Sequence, residues 1–182
     1  MVKLLGISGS LRAASFNTAL LNAAAALAPE GVEVSVATLA GIPLYDGDLE
    51  AREGLPAAVV ALKARIQASD GLILATPEYN AGMPGVLKNG IDWLTRPPED
   101  MTKTFGDRPL ALLGASPSGF GTVLGQNAWL PVLRFLGVRQ WTAGRLLVSR
   151  AHQLIGADGS ITDDALRGQL RDFVAGFAAF CA

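Results

Sequence analysis

One cysteine and one histidine in 182 residues narrow what this chain can do. A lone thiol, Cys181, cannot close an internal disulfide, so a disulfide-stapled scaffold is excluded and a reducing compartment is expected. A single imidazole, His152, removes most His-based metal sites and leaves a hydrolytic triad with only one base to draw on. Charge is scarce as well. Charged residues make up 17% of the chain, 15 basic against 16 acidic for a net charge of −1, and no run of Lys and Arg occurs. A nucleic-acid surface, whose affinity rests on clustered cations, is therefore not expected. No apolar run approaches the ~20 residues that cross a bilayer. The opening Met1-Val2-Lys3-Leu4-Leu5 leads into a strand-like segment without a signal-peptide layout, so no membrane association and a cytoplasmic location are expected.

Apolar material is plentiful, at 50% of residues, and the length suits one domain over 1–182. Short apolar runs alternate with longer helical patterns. Strands are expected over 2–8, 32–39, 71–75 and 109–115, with a fifth inside 138–148 interrupted at Gly144. Helices are expected over 15–28, 55–68, 84–94 and 123–136, and from Thr162, as cap, to about Phe180. The Pro/Gly/Asp-rich stretch after Leu39 and the polar stretch 96–107 read as loops. Five strands alternating with five helices specify an α/β fold, a doubly wound parallel sheet with helices on both faces. Ligands of such sheets bind beyond the carboxyl ends of the strands, where strand order reverses.

Three loops fall at that edge. The first, Gly9-Ser10-Leu11-Arg12-Ala13-Ala14-Ser15-Phe16-Asn17, joins a strand to a helix and is dense in hydroxyls. A helix N-terminus with free N–H groups suits a phosphate, Ser10, Ser15 and Asn17 can hydrogen-bond it, and Arg12 supplies a forked cation. The same loop also reads as an ordinary βα turn with Ser15 as N-cap. It is neither a Walker A loop nor Gly-x-Gly-x-x-Gly. The second loop, Thr76-Pro77-Glu78-Tyr79-Asn80-Ala81-Gly82, offers Tyr79 and Asn80 to a flat heterocycle, or forms a hairpin-like turn with Tyr79 on the surface. The third, Gly114-Ala115-Ser116-Pro117-Ser118-Gly119, is small enough for close approach of a ligand. It mimics a nucleophile elbow, but Ser118 replaces the final glycine and His152 has no identifiable carboxylate partner.

The first loop resembles the Gly-Ser-x-Arg-x-x-Ser-x-Asn signature of the NADPH-dependent FMN reductase family. Thr76-Pro77-Glu78-Tyr79-Asn80 with Pro84-Gly85-Val86-Leu87-Lys88-Asn89-Gly90-Ile91-Asp92-Trp93 is similar to its second signature, and the likeness extends through Ile42-Pro43-Leu44-Tyr45-Asp46. The resemblance implies a flavodoxin-like sheet of order 2-1-3-4-5, with FMN as cofactor and NAD(P)H as co-substrate. It also implies a quinone, chromate, azo or flavin acceptor served by ping-pong kinetics. Ser10, Arg12, Ser15 and Asn17 would hold the phosphate, and Pro77, Glu78, Tyr79 and Asn80 would line the ring and ribityl chain. Ser116, with Ser118 and Gly119, would approach from the third loop. Ser118 and Gly90 depart from the glycine and alanine that relatives often carry; Gly90 is expected only to loosen its helix. No side chain need act as nucleophile, so no catalytic residue is assigned. A homodimer or homotetramer is implied. The competing reading is a flavodoxin-type electron carrier or flavin sensor without NAD(P)H turnover. Trp93 and Trp129 read as core or subunit contact, Lys88 and Asp92 as a local pair, and His152 as solvated.

Overall fold

The computed structural model describes residues 1–182. Its strands are β1 (Val2–Ser8), β2 (Val32–Ala37), β3 (Gly71–Ala75), β4 (Pro109–Ala115), β5 (Arg139–Gln140) and β6 (Leu146–Val148). Its helices are α1 (Phe16–Ala26), α2 (Gly47–Glu53), α3 (Ala57–Gln67), α4 (Gly85–Leu94), α5 (Met101–Phe105), α6 (Val123–Leu136) and α7 (Asp164–Cys181). All strand pairs are parallel, in the order β2-β1-β3-β4-β5, with β6 also beside β4. This is the flavodoxin-like order that the resemblance implies. No helix is long and apolar enough to cross a membrane.

The central strands β3 and β4 are buried along their whole length and apolar on both sides because both faces are covered. Alternate residues face opposite ways along a strand, and the two cores divide accordingly. Leu4, Ile73, Ala75, Ala111, Leu113 and Ala115 join one core with α1 and α7. Leu5, Ile7, Leu72, Leu74, Leu110 and Leu112 join the other with α3, α4, α5 and α6. In α7 the buried Leu166, Leu170, Phe173, Val174 and Phe177 form one stripe at helical spacing, which holds that helix against the sheet.

Three expectations need correcting. The Pro/Gly/Asp-rich stretch contains α2, nucleated by Asp46, whose carboxylate accepts from the N–H groups of Asp48 and Leu49. The stretch 96–107 contains a 3-10 turn, Pro98–Asp100, that runs into α5. Buried Phe105 anchors that short helix, and Lys63 of α3 donates to Asp100 at 2.7 Å and to the Arg96 carbonyl. The cap of α7 is Asp163, which accepts from Leu166 N–H, while the Thr162 hydroxyl donates to the Leu154 carbonyl. The fifth strand is interrupted around Gly144 as expected, and its two pieces are β5 and β6. Trp141 N–H still donates to the Leu110 carbonyl of β4 at 2.8 Å while its indole packs on Phe173 and Phe177, and only glycine fits at 144, where a Cβ would lie 2.0 Å from the indole.

Register brings the functional edge together. Ser8 pairs with Ala75, Ala75 with Leu113, and Ala115 with Val148. The segments after β1, β3, β4 and β6 therefore emerge side by side, and strand order reverses between β1 and β3.

Candidate functional site

The first loop is built from the end of β1 outward. Gly9 N–H donates to the Ala75 carbonyl at 2.8 Å, and a Cβ at Gly9 would lie within 2.9 Å of Leu87, Ala75 and Pro77. A glycine is thus required for the first loop to lie against the second. The Ser8 hydroxyl meets the Thr18 hydroxyl at 2.7 Å, and Arg12 N–H donates to Ser10 Oγ at 3.3 Å. Ser15 is the N-cap of α1, its Oγ accepting from Thr18 N–H at 3.3 Å. Ser15 is therefore the N-cap that the βα-turn reading describes, and the cap leaves other first-turn N–H groups of α1 without a helical partner.

Asn17 does more than the sequence suggested. It is 4% exposed, donates to the Ala115 carbonyl and accepts from Ala115 N–H, both at 3.0 Å. Its amide is a strut between α1 and the end of β4, which fixes the spacing of the first and third loops.

The second loop is a two-residue hairpin. Tyr79 and Gly82 exchange both backbone hydrogen bonds at 3.1 Å, with Asn80 (φ 50°) and Ala81 (φ 60°) left-handed at its tip. The hairpin-like reading holds, and Tyr79 is half-exposed at its base. Glu78 ties this hairpin to α6: its carboxylate accepts from Leu124 N–H at 2.8 Å and from Gly125 N–H at 2.9 Å. An anion there satisfies two orphan donors and complements the helix dipole. Nothing in the spacing announces that clamp, since its partners lie 46 and 47 residues apart in the chain. Beneath the loop, Trp129 N–H donates to Thr76 Oγ1 at 3.0 Å, so this fully buried indole belongs to the core.

The third loop is zipped to the segment after β6. Ser116 N–H donates to Val148, Ala151 N–H to Ser116, and Arg150 N–H to Ser118. Ser116 is buried and its hydroxyl donates to Ser118 Oγ at 3.0 Å.

A pocket of about 60 Å³ lies where the loops meet, lined by Ser10, Arg12, Ser15, Asn17, Pro77, Glu78, Tyr79 and Ser116, together with Phe16, Ala115 and Pro117. Eight of the eleven anticipated residues are thereby gathered. Asn80, Ser118 and Gly119 lie outside that lining, Asn80 on the hairpin tip and the other two exposed on the third loop. Phe16, Ala115 and Pro117 were not anticipated individually, although each falls inside one of the three loops. On the side of the first loop the pocket's donor set is that of an anion site, the Ser10 and Ser15 hydroxyls, the Arg12 guanidinium and a helix N-terminus, which fits a flavin phosphate.

The family motif at Ile42–Asp46 is also positioned. Asn89 and Trp93 of α4 both donate to the Pro43 carbonyl, and Tyr45 N–H donates to Asn89 Oδ1 at 2.8 Å. Arg96 bonds both carboxylate oxygens of Glu50, at 3.0 and 2.8 Å, and holds that carboxyl below its usual value. Trp93 is thus core, and Lys88 and Asp92 form the expected pair at 2.7 Å. Gly90 does more than loosen α4, because a Cβ there would lie 2.7 Å from Leu39.

A doubly wound sheet with an anion pocket at its switch point and an aromatic hairpin beside it defines a nucleotide-type cofactor-binding protein. The model of NADPH-dependent FMN reductases matches residues 2–153, and the chain belongs to that family of oxidoreductases, with FMN as cofactor and NAD(P)H as reductant. It is 45% identical over 166 residues to an NAD(P)H-dependent FMN reductase of Pseudomonas aeruginosa, covering 91% of this chain and 88% of that one. It is 34% identical to a 2-hydroxy-1,4-benzoquinone reductase of a Burkholderia species, covering 98% and 96%. Among solved structures it is similar to a flavoenzyme NAD(P)H:(acceptor) oxidoreductase of Paracoccus denitrificans, with a TM-score of 0.86, 32% identity, and coverage of 100% and 97%.

Proposed function

We propose that this chain is a cytoplasmic NAD(P)H-dependent reductase of quinones, working through FMN by alternate occupation of one exposed ring face. The observation that carries this reading is the pocket where Ser10, Arg12 and Ser15 meet the Tyr79 hairpin at the β1/β3 switch point. Bound FMN supplies the redox chemistry, accepting a hydride equivalent from NAD(P)H and returning two electrons to the acceptor. The chain's own residues bind and orient. Arg12, Ser10 and Ser15 take the phosphate with the N-terminus of α1, and Asn17 holds the first and third loops at the spacing the phosphate needs. Pro77, Glu78 and Tyr79 present the backbone and an aromatic edge to the ring, with Asn80 at the hairpin tip, Ser116 opposite, and Ser118 and Gly119 at the outer margin. No side chain is assigned a covalent or proton-transfer role.

A quinone is favoured as acceptor because a relative covering nearly the whole chain is named for benzoquinone reduction; chromate, azo and flavin acceptors are the alternatives. The single FMN-binding domain spans 1–182 and assembles as a homodimer or homotetramer. The exposure of Leu44, Phe120 and Phe135, at 82%, 80% and 74%, supports such an assembly. The deciding experiment is anaerobic stopped-flow absorbance at the oxidised-flavin band. Rapid bleaching by NADPH and recovery on adding benzoquinone are expected. Persistent colour with both NADPH and NADH would replace the reductase with a carrier or sensor.

A further inference from the structure

A second and far larger cavity adjoins the phosphate pocket. It is a groove of about 810 Å³ that shares Arg12, Ser15 and Phe16 with the small pocket and runs away from it along α1. Ser15, Thr18, Ala19 and Asn22 form its near wall, at the i, i+3, i+4 and i+7 positions of one helix face. That stripe is about 10 Å long at the helical rise.

The far wall is the segment 152–160, which is preformed. Gly156 N–H donates to Ser160 O at 2.8 Å, Gly159 N–H to Gly156 O at 2.9 Å, and Ile155 bridges Ile161. Asp158 Oδ1 accepts from both the N–H and the hydroxyl of Ser160, at 3.0 and 2.7 Å. Its Oδ2 has no protein partner, and the Ser160 bonds hold the carboxyl below its usual value, so it is an ionised acceptor. The groove therefore has a cation at the phosphate end, an apolar floor of Phe16, Ala19 and Ile155, and an amide and a carboxylate further on.

We propose that this groove takes the adenosine monophosphate half of flavin adenine dinucleotide, so that the protein accepts FAD as well as FMN. The proposal rests on the flavin phosphate lying at Arg12. From that point a second phosphate and its nucleoside can follow this adjoining groove, with Arg12 beside both phosphates. Phe16 and Ile155 offer apolar contact to adenine, Asn22 can hydrogen-bond its edge, and Asp158 can accept from ribose hydroxyls. The same carboxylate repels a 2′-phosphate, which selects an adenosine with free hydroxyls. The volume lies within the range of about 300–1,000 Å³ typical of small-molecule sites.

The test is fluorescence titration of the flavin-free protein with FMN and with FAD, in the wild type, Asn22→Trp and Asp158→Ala, each repeated with AMP as competitor. Asn22 is exposed on α1, so its indole replacement projects into the groove and not into the core. FAD affinity should fall about tenfold in Asn22→Trp and severalfold in Asp158→Ala, while FMN affinity stays unchanged and reports intact folding. AMP should compete with FAD and not with FMN. Tight FMN binding together with FAD binding that is absent, or is insensitive to both variants and to AMP, overturns the groove assignment alone. Binding of neither flavin to the wild type overturns the flavin reading itself. A raised KM for NADH in Asn22→Trp with unchanged FAD affinity would give the groove to the reductant's adenosine and likewise overturn the proposal.

Discussion

Replacing Glu78 with alanine removes the carboxylate that joins the Tyr79 hairpin to the N-terminus of α6. Two charge-assisted hydrogen bonds are lost, to Leu124 N–H at 2.8 Å and Gly125 N–H at 2.9 Å. Each such bond contributes about 1.5–3 kcal/mol, and an anion at a helix N-terminus about 0.3–1 kcal/mol more. Leu124 lies at the surface and its N–H recovers a water, so its share is small. Gly125 is buried beneath Pro77 and Glu78, where a Cβ would stand 3.0 Å from the Pro77 carbonyl, and its N–H has no room to recover a partner. The net expectation is a loss of about 2 kcal/mol, mostly from Gly125. Glu78→Gln keeps one acceptor oxygen without the charge and should lose about half as much. In urea unfolding, with a slope of about 2 kcal/mol/M, the midpoint of Glu78→Ala should move down by about 1 M with the slope unchanged. FMN affinity should weaken in parallel as the hairpin loses its tether. A midpoint within about 0.2 M of the wild type, with FMN affinity retained, would refute the clamp.

Three further expectations follow from the same geometry. Arg12→Ala should weaken FMN binding by roughly 1.5–3 kcal/mol in a fluorescence titration, and unchanged affinity would remove Arg12 from the site. Gly114→Ala would place a Cβ 2.1 Å from Thr122 Oγ1 and 2.3 Å from the Thr76 carbonyl, forcing apart the second and third loops. It should cost about 1–3 kcal/mol, and Tm should drop by about 2–4 °C for each; an unchanged Tm would contradict the packing. The Arg96 guanidinium lowers the Glu50 carboxyl below its ordinary 4.5. The stability from that pair is thus present above pH 4.5 and lost as pH falls through the lowered folded value. The gap between wild type and Glu50→Gln in urea unfolding should be open at neutral pH and close in acid, and a gap independent of pH would exclude the ion pair as its source.

Much of this molecule is decided locally. The short apolar runs 2–8, 71–75 and 109–115 read as strands by length and flanking glycine or proline, and their alternation with helical patterns specifies a parallel sheet covered on both faces. The first loop carries its own instructions: Ser15 caps α1 whether or not a ligand is present. These features rest on propensity, period and capping, all of which operate over a few residues.

Tertiary structure settled the rest, because the partners are distant in sequence. Asn17 reads as one more polar loop residue until Ala115, 98 residues on, occupies both ends of its amide. Glu78 reads as a ring neighbour until the N-terminus of α6 arrives beside it. Asn80, Ser118 and Gly119 sit in the right loops and still miss the pocket lining, since a hairpin turn and a zipped loop carry them outward. The break in the fifth strand is legible at Gly144, but the Trp141 indole that requires a glycine there finds its partners on α7 only in the fold, and α5 forms because Phe105 has a core to enter. The sequence by itself determined where strands end and which loops carry anion-binding groups. Which side chains of those loops converge was decided by long-range hydrogen bonds and packing, whose free energy depends on neighbours that no local pattern names.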